Sequence, residues 1–188
     1  MREWRRCRMS KAVLISIRPK WCEKICRGEK TVEVQKSRPK METPFKCYIY
    51  ETQGWVEKDS IMVFRLGGRV IGEFTCDRIY KLETQSPGGS YYVKGEGQPT
   101  TNDVARQSCL SLRDMHEYLQ SKVGYGWHIS ELKIYDAPKE LSEFRRVCPN
   151  DLYCESCAMY RNNGGTCGNG ALLLKRPPQS WCYVEMMR

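Results

Sequence analysis

No stretch of this 188-residue chain approaches the ~20 consecutive apolar residues that a membrane-spanning helix requires. The early apolar segment Ala12–Ile17 is short and runs straight into Arg18-Pro19. The basic start, Met1 to Arg8, is not followed by the apolar stretch and cleavage site of an export signal. Secretion and membrane insertion are therefore disfavoured, and a cytoplasmic protein is expected. Neither common form of Gly-rich phosphate loop is present, and no internal repeat is visible. Nor is the composition that of a disordered chain: 40% of residues are apolar or aromatic and 28% charged. What remains is one domain of ordinary size with enough apolar residues for a real core.

The charge is lopsided. Against 31 Lys and Arg stand 22 Asp and Glu, a net charge of +9. Residues 1–8 hold four Arg and one Glu, so +3 sits there and +6 elsewhere. That surplus favours an anionic partner such as nucleic acid. Charge kept for solubility is the competing explanation. Met9 is a second candidate start, so residues 1–8 read as a basic leader, disordered or a translational extension, and 9–188 as the domain.

The eleven cysteines are an odd number in a chain with no export signal, so a disulfide scaffold is the wrong default. Seven are scattered, but Cys148, Cys154, Cys157 and Cys167 lie close together. A Cys-x-x-Cys turn converges two thiolates on one ion, and two more complete a tetrahedron. The surrounding Asn162 to Gly165 and Gly168-Asn-Gly170 cannot build an apolar core, so a metal would supply the ordering energy. Structural zinc on these four cysteines, in an insertion spanning 148–170, is the leading reading. Unpaired thiols, a redox pair at Cys154 and Cys157, or an iron–sulfur cluster are the alternatives.

Apolar patterning predicts a buried strand over 13–18, then a helix from Pro19 to about Arg27 that Gly28 ends in a left-handed conformation. Cys22, Ile25 and Cys26 fall on one face of it and read as core. A half-buried strand follows at 31–36 and further strands at 46–51, 61–66 and 69–82, with Gly67-Gly68 a hairpin turn candidate. Residues 83–102 read as a long loop. A helix from Ser111 to about Lys122, a strand over 126–135, a short helix over 139–144 and a strand over 180–185 complete the chain. Helices do not alternate regularly with strands, which disfavours a doubly wound sheet. The expected fold is α+β, a mixed barrel-like sheet with two or three flanking helices.

The strongest local signal is Gly28-x-Lys30-Thr31-x-Glu33-x-Gln35. On a strand, Thr31, Glu33 and Gln35 share a face, and Lys30 at the junction can reach across to it. A lysine and a carboxylate so placed suit recognition of a base edge or phosphate, or proton transfer. A plain ion pair on a strand is the competing reading. Glu73 is a candidate second carboxylate. His128 and Ser130 are candidates for the cleft border, although a hydrogen-bonded structural histidine is the commoner outcome. Trp21, Trp127 and Trp181 could stack on bases or fill core, and the alternating strand around Trp181 favours core there. Arg18, Lys20, Lys24, Arg27, Lys36, Arg38 and Lys40 cluster around the signature, as phosphate contacts or as a solvated face.

The Gly28, Lys30, Glu33 spacing, directly after a strand and a helix, resembles the signature of the ASCH domain family, a small β-barrel superfamily related to the RNA-binding PUA fold. The resemblance continues through Ser16–Trp21, Arg38-Pro-Lys40, Pro44–Tyr50, Val70–Phe74, Tyr125–Ser130 and Arg176–Glu185. That series looks like a phage and Gram-positive bacterial subgroup. The family pattern continues to an Arg two residues after the Glu, where this chain has Gln35, which lacks the charge and forked grip of Arg.

The resemblance implies a PUA-like barrel whose cleft accepts RNA or a nucleotide-derived small molecule. Gly28, Lys30, Thr31, Glu33, Gln35, Lys36, Arg18 and His128 would bind it. Some members of the family are amidohydrolases on N-acetylated cytidine and others ribonucleases, which makes a hydrolase the alternative, with Lys30, Glu33 and Glu73 as catalytic groups. In the amidohydrolase branch a hydroxyl residue stands three positions after the Lys. Here that position is Glu33, so that role does not carry over, and Thr31 comes too early to inherit it. A phage-encoded protein-interaction module with a vestigial cleft is the third reading.

Overall fold

The run Ala12–Ile17 forms a strand because each of its two faces has a core to enter. In the computed structural model, which describes residues 11–58, 60–148, 157–164 and 167–187, it belongs to β1 (Lys11–Ile17). Val13, Ile15 and Ile17 enter one apolar cluster, and Ala12 and Leu14 enter another. Then come α1 (Pro19–Cys26), β2 (Val32–Gln35), β3 (Phe45–Glu51), β4 (Gly54–Lys58), β5 (Ile61–Arg65), β6 (Arg69–Thr84) and β7 (Tyr91–Val93). The chain continues as α2 (Thr101–Ser108), α3 (Leu112–Leu119), β8 (Gly124–Lys139), α4 (Ala158–Arg161) and β9 (Trp181–Glu185). The basic leader lies outside the described residues. No helix among the described residues is long and apolar enough to cross a membrane.

The main sheet runs β2-β8-β6-β3-β1-β9, with β7 on the flank of β6. Only β1 and β3 are parallel within it. The expected α+β class and mixed sheet are present, but the sheet is not closed into a barrel. Its end strands, β2 and β9, are short and share no backbone ladder. Side chains span the gap instead: the Ser180 hydroxyl donates to Gln35 Oε1 (2.7 Å), Trp181 Nε1 to Ser37 Oγ (3.0 Å), and the Lys40 amide to the Tyr183 hydroxyl (2.6 Å).

Three apolar clusters organise the molecule. One fills the inside of the curled sheet with Ile15, Phe45, Phe74, Trp127 and, from α1, Cys22 and Ile25. Tyr48, Val70, Val184 and Phe144 pack on the opposite face, where Tyr48 and Phe144 meet edge to face at 5.0 Å. The third lies beneath α2 and α3, between Val32, Val34, Tyr80, Leu82 and the helix residues Val104, Met115 and Leu119. Capping boxes at Thr100/Asp103 and Ser111/Asp114 start those two helices.

Several sequence expectations need correcting. Cys22 is core as expected, but Cys26 is exposed. Four α-helices are described rather than two or three. The segment 83–102, read as loop, contains β7 and leads directly into α2. Gly67-Gly68 is not the turn of a hairpin between β5 and β6, because β5 pairs with β4 in a separate two-stranded sheet. The glycines instead fold that hairpin back onto the main sheet. Gly67 has φ +39°, and a β-carbon there would run into the carbonyl oxygen of Thr52. The short helix expected over 139–144 is a single 3-10 turn, Leu141–Glu143.

Candidate functional site

Gly28 positions the signature. With φ +72° and its amide bonded to the Ile25 carbonyl (2.9 Å), it ends α1 as the sequence suggested and turns the chain into β2. Lys30 then points inward and is only 3% exposed. Its ammonium donates to the carbonyls of Val32 (2.9 Å) and Ser108 (2.8 Å) and lies 3.2 Å from Glu33 Oε2. All three N–H groups thus face acceptors. Trp21 covers the ammonium, its ring centroid 5.2 Å away.

Glu33 and Gln35 share one face of β2, as alternation requires. Glu33 is 8% exposed, and its Oε1 accepts from Gln35 Nε2 (2.9 Å). Gln35 in turn accepts from Ser180. A continuous polar chain therefore runs from Ser180 through Gln35 and Glu33 to Lys30, joining the two open edges of the sheet. Glu33 Oε2 and the indole Nε1 of Trp127, its partner across the β2–β8 ladder, are both buried without a hydrogen bond.

The flanking segments are basic. Arg18, at the N-cap of α1, and Lys20, Lys36, Arg38 and Lys40 are exposed, and none makes a salt bridge with a described carboxylate. Lys24 and Arg27, by contrast, are tied to Glu29. Tyr118 of α3 lies near Glu33 and Arg18. Lys36 lies 4.9 Å from its ring centroid. Burial pushes the Tyr118 hydroxyl up, the nearby Glu33 carboxylate adds to this, and Arg18 offsets part of it. On the same helix the Asp114 carboxyl is held down mainly by Ser111 and to a lesser degree by Lys20.

The structure brings together Lys30, Glu33 and Gln35, with Arg18 and Lys36 at the rim, and leaves two other sequence candidates apart. Glu73 follows the alternation of β6: Phe74 takes the interior, so Glu73 faces the other side and binds Lys46 (2.7 Å) and the Tyr135 hydroxyl (2.6 Å). His128 pairs with Val32, which places it on the opposite face of the ladder from Glu33 and Trp127, where its Nδ1 meets Asp77 (2.6 Å). It is a hydrogen-bonded structural histidine. Thr31 precedes β2, and its carbonyl accepts from the Ile129 amide. Of the tryptophans, Trp127 is fully buried, whereas Trp181 is half-buried against the core and Trp21 borders the site.

Sequence reasoning missed Ser180, Ser108 and Tyr118. Ser180 sat inside the Arg176–Glu185 block but was read only as the start of a strand. Ser108 acts through its carbonyl, which side-chain identity does not signal. Tyr118 lies one residue before Leu119 on an amphipathic helix and had no marker of its own. In the cysteine-rich region, Cys148, Cys157 and Cys167 are partly exposed and unpaired, and Cys154 lies outside the described residues. No group of three His, Cys, Asp or Glu among the described residues is gathered closely enough to hold a metal.

No family model matches the chain, and no curated protein matches it in sequence. Among solved structures it is similar to ASCH from Zymomonas mobilis, with TM-score 0.52 and 16% identity over 92% of this chain and 86% of that one. A tyrosine-to-phenylalanine variant of the same protein gives TM-score 0.52 and 17% identity over 93% and 90%. A serine-to-alanine variant gives TM-score 0.52 and 16% identity over 92% and 87%. The curled mixed sheet that carries Lys30 and Glu33 at its open seam is therefore the fold of an ASCH protein.

Proposed function

We propose that this protein binds single-stranded RNA, or a ligand derived from a nucleotide, across the seam between α1, β2 and α3. The observation that carries this reading is the set of three exposed cations, Arg18, Lys20 and Lys36, beside Trp21 and Tyr118 near the Lys30–Glu33 pair, which pair with no described carboxylate. Unneutralised side chains at that density suit a phosphate backbone. Trp21 and Tyr118 offer faces on which bases can stack. Relation of the ASCH fold to the RNA-binding PUA fold points the same way.

Binding is favoured over hydrolysis because the Lys30 ammonium is already held within the chain by two carbonyls and the Glu33 carboxylate. Fluorescence anisotropy with labelled single-stranded RNA tests the proposal. Affinity should fall with salt, and Arg18→Ala and Lys36→Ala should each weaken binding and flatten the slope of log K against log salt by roughly one. Binding that ignores salt and both substitutions would remove the reading. Turnover of RNA or acetylated cytidine, abolished by Lys30→Ala, would replace it with the hydrolase.

We also propose that Cys148, Cys154, Cys157 and Cys167 take one structural zinc, a reading supported by the Cys-x-x-Cys spacing and the Gly- and Asn-rich surroundings. Elemental analysis of the purified chain should find one zinc per molecule, lost with a chelator together with thermal stability. Metal-free protein of unchanged stability would end that reading.

A further inference from the structure

The β4–β5 hairpin is held to the rest of the molecule at few points. Its strands pair from Gly54↔Arg65 to Lys58↔Ile61 and share no ladder with the main sheet. Backbone bonds tie down its roots, from the Thr52 amide to the Ile17 carbonyl (2.9 Å) and from the Gly68 amide to the Glu51 carbonyl (2.8 Å). Side chains alternate, so Val56, Ile61, Val63 and Arg65 share the inner side, and Trp55, Met62 and Phe64 the outer. Even the inner side is mostly open. Val56 is buried, but Val63 opposite it is 44% exposed and Ile61, toward the tip, 65%.

The strongest attachment is one side chain. Arg65 bonds Glu23 of α1 (2.9 Å) through Nη1 and lies 3.3 Å from Glu51 of β3 through Nε. Glu51 is buried, and its Oε1 has no hydrogen bond, so Arg65 is the cation that balances a desolvated carboxylate. Gly67 and Gly68 at the β5 root both have positive φ (+39° and +82°), and Gly54 stands at the β4 root against Pro19. A two-stranded hairpin is marginal in water by itself, and segments with few buried apolar contacts open at a lower cost than the whole fold. By contrast, β1 and β3 lie in the core, with Ala12 to Ile15, Cys47 and Ile49 fully buried.

We propose that the hairpin is a hinged arm that swings off α1 as a unit while the main sheet stays folded, with Gly54 and Gly67-Gly68 as its hinges and Arg65 as its latch. Closed, the arm neutralises Glu23 and Glu51 together. Open, it carries Arg65 away from both, admits water to Glu51 at the end of β3, and leaves two carboxylates without their cation. Because Glu23 shares α1 with Lys20 and Trp21, the position of the arm also sets the charge on that helix.

Amide hydrogen exchange of the full chain, read by mass spectrometry on peptides, tests this. Peptides covering 54–65 should exchange well before those of β1 and β3, yet more slowly than unstructured chain. Arg65→Met should speed exchange in the hairpin roughly tenfold or more and leave β1 and β3 unchanged. Glu23→Gln lies outside the hairpin, keeps its sequence intact and removes one of the two contacts, so it should speed the same peptides by less. A hairpin as protected as β1, or one that exchanges in the wild type at the rate of unstructured chain, overturns the proposal. So do variants that leave hairpin exchange unchanged or accelerate all three strands alike.

Discussion

Two of the molecule's lysine–glutamate pairs, Lys30–Glu33 and Lys46–Glu73, join the same two groups and differ in what surrounds them. Lys30 and Glu33 are enclosed, with side-chain exposures of 2% and 11%, while Lys46 and Glu73 stand at 31% and 19%. Lys46 and Glu73 make the shorter contact, 2.7 Å against 3.2 Å. Distance is therefore a poor guide to consequence. In the enclosed pair each charge has given up water, and its stability depends on every remaining partner: Ser108 and Val32 for the ammonium, Gln35 for the carboxylate. In the open pair, water replaces whatever partner is lost. The enclosed pair also bridges elements far apart in sequence, since the Ser108 carbonyl belongs to α2 and Ser180 lies just ahead of β9.

Removing one member separates the two cases most sharply. Lys30→Ala leaves the Glu33 carboxylate buried with only Gln35 and should cost about 3–5 kcal/mol in urea unfolding. The double variant Lys30→Met with Glu33→Leu takes away both charges and should recover much of that loss, because an apolar pair of similar size no longer has a desolvated charge. If Lys30→Ala costs under ~1 kcal/mol, the enclosure described for this pair is wrong and the comparison collapses.

What the sequence revealed depended on how local the cause was. Pro19 and Gly28 set both ends of α1 by backbone chemistry, and the alternation after Gly28 put Glu33 and Gln35 on one face. The β-branched run at 13–17 announced a strand buried on both sides. Failures arose where the cause was distant. Nothing near Gly67 shows that β5 pairs backward with β4 rather than forward with β6, because that choice rests on Arg65 reaching Glu23 and Glu51. Barrel closure failed for a similar reason, since it depends on two edges that are far apart in the chain. Glu73 was assigned to the cleft by residue type alone, whereas its neighbour Phe74 had already claimed the interior. The spacing around Lys30 drew attention to it, but its burial was not legible, for the Ser108 carbonyl that holds it lies 78 residues on.

The open pair gives the smallest effect and the clearest dependence on pH. Burial raises the Glu73 carboxyl, but hydrogen bonds from Lys46 and Tyr135 outweigh it and leave the group below its ordinary 4.5. A lowered value means that ionised Glu73 stabilises the fold above pH 4.5, and that this contribution fades as pH falls toward the folded value. Lys46 supplies the opposite limb. Its hydrogen bond to Glu73 raises it above 10.5, so its contribution is complete below pH 10.5 and is lost as pH climbs through the raised value. Glu73→Gln should therefore cost under ~1 kcal/mol near neutrality, with the difference from wild type closing in acid. Urea midpoints measured from neutral pH down past 4.5 check this. A gap that widens in acid would mean that the folded state favours the protonated Glu73 carboxyl, the opposite of a lowered value.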